Sequence, residues 1–268
     1  MKVAIQGELG SFHDAAARRF FGVDVEVLTC ETFRDVFESV SHENYGLVAI
    51  ENSLYGSLHD SYNLLLENNL AVTGEVALHI HQQLIGFPGS SQKEITEIYS
   101  HSAALDQCRG YLEKNFPRVE ISEFYDTAAA VGYIKTHDMR HAAAIASRVA
   151  AEQWNMAILD QDIEDETQNI TRFFVLAPTL EVVESADKAS LVIQTNHTPG
   201  ALYEALGVFE RHNANLTKLE SRPVRGEAFR YQFIVDVEID AATLRKVTKE
   251  LEAQNCFIRL LGHYKRAA

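Results

Sequence analysis

Small polar residues recur in this sequence where a β-branched run gives way to a helical one. Ser11 follows Gly7-Glu-Leu-Gly10 and precedes Phe12, and Asn52 and Ser53 follow Gly46–Glu51. Ser100-His101-Ser102 follows Ile98-Tyr99, and Asp126-Thr127 follows Phe124-Tyr125. Such residues cap helices, because a side-chain oxygen accepts an orphaned N–H of the first turn. Ser11 with Asp14, and Ser57 with Asp60, have the spacing of a capping box. Helix starts also attract anions, and in open α/β sheets ligands bind outside the carboxyl ends of the strands. Capping accounts for each position singly; four together point to a cleft for a small anion.

Other chemistry is excluded or weaker. His79-x-His81 puts two imidazoles on one strand face, but no third ligand is identifiable, so no metal site is expected. Gly7-x-x-Gly10 lacks the third glycine and acidic partner of a dinucleotide site. The acidic run within Gln161–Gln168 (Asp162, Glu164, Asp165, Glu166) reads as a solvated loop. No Ser-His-Asp order or phosphate loop stands out. Asn169-Ile-Thr171 and Asn215-Leu-Thr217 match the glycosylation sequon, by chance in a chain read as cytosolic.

The elements that must position these residues fall into two groups. Candidate strands at Lys2–Gln6, Val23–Thr29, Gly46–Glu51, Ala71–Leu78, Ile95–Ser100, Glu120–Tyr125, Ala142–Ala146 and Phe173–Leu176 alternate with helical stretches. The helices are Ser11–Phe21, Ser57–Asn68, Ser102–Lys114 and Thr127–Thr136. This alternation predicts an α/β domain with a largely parallel sheet, either one sheet or two lobes facing a cleft. Further on, Ser190–Thr195, Gly200–His212, Leu216–Val224, Phe229–Glu238, Ala241–Ala253 and Phe257–His263 give the ferredoxin-like order βαββαβ. Charge divides the chain at the same place. Residues 1–188 hold 13 Lys/Arg against 29 Asp/Glu, a net of −16, whereas residues 189–268 hold 11 against 9. We therefore expect domains at 1–178 and 189–268, joined by a linker at 179–188.

The 268 residues are 46% hydrophobic and 23% charged, as in an ordinary globular protein. A formal charge of −14 argues against nucleic acid and anionic membrane as partners. No apolar leader or spanning segment is visible, and the three cysteines (Cys30, Cys108, Cys256) read as reduced thiols. The expectation is a cytoplasmic protein.

Four motifs in the first domain closely resemble prephenate dehydratase. Asn169-Ile-Thr171-Arg172-Phe173 matches its N-x-T-R-F, and Ile50-Glu-Asn52-Ser53 matches its I-E-N-S. Ser100-His101-Ser102 followed by Gln107-Cys108 is similar to a third, with Ser102 where proline is common. Gly7-x-x-Gly10-x-Phe12 is similar to the fourth, with His13 replacing a serine. Pro199-Gly200-Ala201-Leu202 and Asn215-Leu-Thr-Lys-Leu-Glu220-Ser221-Arg222-Pro223 resemble the family's regulatory ACT domain.

The resemblance implies a two-lobed, periplasmic-binding-protein-like catalytic domain followed by an ACT domain. It implies conversion of prephenate to phenylpyruvate, with loss of water and carbon dioxide, in phenylalanine biosynthesis. No cofactor is implied. Thr171 becomes the candidate proton donor, Arg172 a group that polarises it or holds a carboxylate, and Phe173 a screen against water. Ser11, Phe12, Asn52, Ser53, Ser102, Gln107 and Thr127 become candidate substrate ligands. L-Phenylalanine is implied as feedback effector between neighbouring ACT domains, at Gly200, Ala201, Leu202, Asn215, Glu220, Ser221, Arg222 and Pro223. A homodimer or homotetramer follows. Because the first strand opens at Lys2, we expect no preceding mutase segment. The rival readings are an arogenate dehydratase and a non-catalytic small-molecule sensor.

Overall fold

Val3, Ala4 and Ile5 are fully buried in the apolar run that makes β1 (Lys2–Gln6). The structure, a computed structural model, describes residues 1–180 and 185–267. After β1 come α1 (Phe12–Phe21), β2 (Glu26–Cys30), α2 (Phe33–Ser39), β3 (Asn44–Asn52), β4 (Gly56–Ser57), α3 (His59–Glu67) and β5 (Ala71–His79). The chain then builds β6 (Gln83–Gly86), β7 (Glu97–Ser100), α4 (Ser102–Gln107), α5 (Arg109–Asn115), β8 (Glu120–Glu123), α6 (Thr127–Thr136), β9 (Ala142–Ala146), α7 (Arg148–Gln153) and β10 (Ala157–Asp160). It returns through β11 (Ile170–Ala177).

Two sheets result. One has the order β2-β1-β3-β11-β5, with β4 on β3; the other runs β10-β6-β9-β7-β8. The chain crosses between the lobes twice, at residues 80–82 and 161–169. The second sheet is mixed: β7 pairs in parallel with β8 and β9, while β6 runs antiparallel to β9 and β10. The sequence reading missed β6 and β10, because four-residue runs such as Gln83–Gly86 are too short for periodicity to mark. It also missed α2, whose Thr32 and Asp35 form a complete capping box.

Three local expectations are corrected. Asp14 does not close a box with Ser11; its carboxylate accepts from the Gly10 N–H (2.8 Å) and pairs with Arg18. Ser57 lies in β4, and α3 starts at His59 after an N-cap, Leu58, whose side chain cannot cap it. The expected helix Ser102–Lys114 breaks at Cys108, and the acidic run is the reason. Asp165 accepts from the Gly110 and Tyr111 N–H groups (2.8 and 3.0 Å), capping α5, and the Glu164 side chain is buried. Asp162, Asp165 and Glu166 are exposed, as a solvated run should be, while Glu164 turns inward and Asp165 has a capping task as well.

By contact, Met1–Asn68 with Val76–Phe173 form one compact unit, and Asn69–Glu75 with Phe174–Ala268 form the other; β5 and β11 each run from one into the other. The second unit holds β12 (Lys188–Gln194), α8 (Ala201–Arg211), β13 (Asn215–Pro223), β14 (Tyr231–Glu238), α9 (Ala241–Ala253) and β15 (Phe257–Tyr264). The βαββαβ order gives an antiparallel sheet β13-β14-β12-β15. Leu191, Val208, Phe209, Val235, Val247 and Leu251 fill its core. Lys188 meets Glu75 at 2.9 Å in a buried pair. Of the expected linker, residues 181–184 lie outside the described residues.

Candidate active site

β3 ends in Glu51 and Asn52, and β11 begins with Ile170 and Thr171 as its neighbour in the sheet. Asn52 Nδ2 donates to Asn169 Oδ1 (2.7 Å) and to Thr171 Oγ1 (3.0 Å). Its Oδ1 accepts from the Leu54 and Tyr55 N–H groups (2.9 and 3.2 Å). The carboxamide is thus fully used, which fixes its orientation. Thr171 accepts from Asn52, so its own proton is the one to give. An N–H donated to Oγ1 also stabilises the alkoxide left behind.

Ser53 joins the same segments. Its N–H donates to Ile170 O (2.8 Å), while Oγ accepts from Ile170 N (2.9 Å) and donates to Gln168 O (2.8 Å). Strand alternation puts Thr171 and Phe173 on one face of β11 and Arg172 on the other. There Arg172 Nη1 lies 3.4 Å from Glu51 Oε2.

Phe173 is buried and meets the His13 ring edge-on, centroids 5.1 Å apart. His13 Nε2 accepts from the Ala49 N–H at 3.3 Å, which places its own hydrogen on Nδ1. Burial alone pushes this imidazole down to about 4, so it stays neutral.

His13 is also a wall of a cleft of about 700 Å³ whose lining comes from both lobes. Five helix starts meet there: Ser11 and Phe12 of α1, Thr32 and Phe33 of α2, Leu58 of α3, His101 of α4, and Asp126 and Thr127 of α6. Ser11, Thr32, His101 and Asp126 each accept a first-turn N–H of their own helix. Burial pushes the Asp126 carboxyl up, offset by backbone N–H donors from Ala129, Ala128 and Glu8. The glycine turn seats here too. Gly7 and Gly10 have φ of +91° and +88°, and a Cβ would fall 2.5 Å from Asp126 Oδ2 or 2.9 Å from Ala150 Cα. The motif is therefore the seam between lobes, reinforced by Ser147 Oγ donating to Gly10 O (2.5 Å).

The expected site residues thus fall into three places. Asn52, Ser53 and Thr171 form one hydrogen-bonded cluster; Ser11, Phe12 and Thr127 line the cleft; Phe173 and His13 stand between. Ser102 opens α4 beside His101. Gln107 ends α4, where its Oε1 accepts from Gln82 Nε2 (2.8 Å). His13, Thr32 and Asp126 were not among the expected ligands. Thr32-x-x-Asp35 was the available signal for the second, and the Asp before Thr127 for the third.

In the second unit, Gly200, Ala201 and Leu202 open α8 beside a cavity of about 570 Å³ that Tyr231 and Phe233 also line. Gly200 has a φ of +87°. Ser221 and Pro223 pair with Phe233 and Tyr231 at the same end of the sheet. Glu220 pairs with Lys218 and Arg222, each at 3.3 Å. Asn215 lies at the opposite end of β13, donating to Glu238 (3.0 Å).

The family model described as prephenate dehydratase matches residues 3–180, and that described as the ACT domain matches residues 189–255. The bifunctional chorismate mutase/prephenate dehydratase of Aquifex aeolicus is 38% identical over 271 residues, covering 100% of this chain and 74% of that protein. The prephenate dehydratase of Methanocaldococcus jannaschii is 36% identical, covering 95% and 94%. Arogenate dehydratase 5 of Arabidopsis thaliana is 35% identical, covering 98% and 67%. Among solved structures, prephenate dehydratase from Arthrobacter aurescens in complex with L-Phe has a TM-score of 0.87 at 27% identity, covering 99% and 90%. GqqA, described as a novel type of quorum quenching acylase, has a TM-score of 0.87 at 30% identity, covering 99% and 98%.

Proposed function

This chain belongs to the prephenate dehydratase family, and from that premise we propose which residues turn prephenate into phenylpyruvate. In this hydro-lyase reaction the bond from the ring to its carboxylate breaks, and its electron pair enters the ring. The carbon–oxygen bond to the ring hydroxyl breaks as the ring aromatises. One proton converts the departing hydroxide to water, and carbon dioxide leaves. Hydroxide is a poor leaving group, so the proton donor carries much of the rate, typically about 10²–10⁴-fold.

Thr171 gives that proton, and solvent water restores it afterwards. The observation that carries this reading is the Asn52 Nδ2 bond to Thr171 Oγ1. It leaves Thr171 poised as donor and stabilises the resulting alkoxide. The helix starts of the cleft hold the substrate's carboxylates, with Ser11, Phe12 and Thr127 at their mouths. Phe173 and neutral His13 wall the ring, keeping water from the breaking bonds. Ser53 and Asn52 position Thr171, while Arg172 braces the far face of β11 through Glu51. Ser102 and Gln107 shape the second lobe's side.

Phenylalanine acts as effector on the second unit. Its carboxylate sits at the start of α8, at Gly200, Ala201 and Leu202, and its ring lies toward Tyr231 and Phe233. Residues 1–178 carry catalysis and 189–268 regulation. β13 is an edge strand with a side open to a second copy, and we infer that the chain works as a homodimer or homotetramer in the cytoplasm. Among the described residues no helix is long and apolar enough to cross a membrane.

Turnover of prephenate by wild type, Thr171→Ala and Thr171→Ser tests the assignment, with arogenate in parallel. Loss in Ala with recovery in Ser supports Thr171 as donor. Equal activity in Ala and wild type removes it. Suppression of wild-type turnover by phenylalanine supports the effector assignment, and indifference to it removes that part alone.

A further inference from the structure

The two segments that join the lobes are laced together. Ile80 N–H donates to Asn169 O (2.8 Å), and Ile163 N–H donates to Gln82 O (3.0 Å). At this crossing His81 meets two carboxylates from the other segment. His81 Nδ1 lies 3.0 Å from Glu164 Oε1 and 3.4 Å from Asp162 Oδ1, and one ligand atom from each residue lies within 4.8 Å of the others. We propose that His81, Asp162 and Glu164, with the carboxamide of Gln83, form a site for a divalent first-row transition cation.

The spacing suits one. A cation with bonds of about 2.1 Å holds its ligand atoms about 3.0 Å apart at right angles and about 3.4 Å apart at tetrahedral angles. Glu164 is already oriented: its side chain is buried and its second oxygen accepts from the Gln82 N–H at 2.8 Å. The independent observation is Gln83. This residue is 1% exposed, its Nε2 reaches Asp162 Oδ1 at 3.1 Å, and among the described residues its buried Oε1 has no hydrogen-bond partner. Turning the carboxamide over exchanges the Nε2 bond to Asp162 for coordination of the cation by Oε1. Three oxygens and one imidazole form a mixed set that favours zinc or manganese over magnesium or calcium. Sequence spacing hid the site, because the carboxylates lie more than eighty positions from His81.

A cation there ties the first crossing segment to the second. The test is calorimetric titration of the chelator-treated full chain with Zn²⁺, with Mg²⁺ as the hard-ion comparison, beside thermal melting with and without Zn²⁺. The expected result is one Zn²⁺ per chain, tighter than Mg²⁺, and a raised melting midpoint. Asp162→Asn and His81→Gln should each weaken Zn²⁺ binding by at least about 10-fold and abolish the rise. Asp162 has a side chain 60% exposed, so its amide variant keeps the fold under test. No saturable Zn²⁺ binding overturns the proposal. So does binding that both substitutions leave unchanged, which assigns the ion to other histidines. Neither result touches the assignment of Thr171.

Discussion

Around Thr171 the partners are side chains, whereas around the cleft the donors offered to a ligand are mostly backbone N–H groups at helix starts. Asn52 uses both amide hydrogens and its carbonyl to fix Thr171, Asn169 and the turn at Leu54. In the cleft, Ser11, Thr32 and Asp126 spend their oxygens on their own helices. What remains for a ligand is the rest of each first turn and its dipole. On the proposed function, the difference follows from the tasks. Delivering a proton needs one atom in one place, which only a constrained side chain provides. Holding a carboxylate needs positive potential, which several helices supply together. The first region should therefore break at single substitutions, and the second should resist them.

The largest effect is expected at Asn52. Asn52→Ala removes the bond that polarises Thr171 and opens the Asx turn, so kcat on prephenate should fall by about 10² or more. Asn52→Asp sharpens the point, since a carboxylate of the same shape accepts but cannot donate to Oγ1, and it should lose as much. A rise in KM with kcat intact would instead place Asn52 with the substrate-holding groups.

Next in size is a pH effect at the residue that joins the two regions. His13 is held at about 4 when folded, against 6.5 for the free side chain. Between those values the unfolded chain binds a proton that the folded chain does not. Stability therefore falls as pH drops from 6.5 to about 4, with His13 contributing on the order of 3 kcal/mol. Urea midpoints across that range should show a steeper fall in wild type than in His13→Ser. Parallel curves would mean that the imidazole is not buried against Phe173.

How much of this was readable follows the same division. The Asn52 and Thr171 motifs are short runs of consecutive residues, and the longer strands and helices around them were legible from β-branched runs and helical patterns, whereas α2, β4, β6, α7 and β10 were not. The capping signals were local too, and Ser11 and Asp126 act as caps. What the sequence hid depends on distant partners. Asp165 reads as one more charge in an acidic run until it is seen capping α5 at Gly110. His13 looks like a departure at a motif position until Ala49 and Phe173 are seen around it. β6 and β10 are too short to announce themselves and exist because β9 and each other complete them.

Ser53 tests whether the motif cluster is all one machine. Its hydroxyl is committed on both sides, to Ile170 N and Gln168 O, and it is exposed rather than buried. Ser53→Ala should cost about 1 kcal/mol of stability while leaving KM for prephenate unchanged. Thermal melting and steady-state kinetics check the two halves. A higher KM without a stability loss would make Ser53 a substrate ligand and shift the boundary between the regions.

The smallest effect is expected at Thr127, and its smallness is informative. Thr127 is the first residue of α6, nearly buried at the cleft, with Asp126 already accepting from Ala129 N–H at 2.9 Å. Removing its hydroxyl leaves the helix start, its free N–H groups and the neighbouring helix starts in place. Thr127→Ala should then change kcat/KM within about fivefold, near ~1 kcal/mol. A loss of a hundredfold would show that one hydroxyl, not the assembled helix starts, grips the carboxylate. In that case the cleft, like the Thr171 cluster, would work through single side chains, and the helix dipoles would be scaffolding.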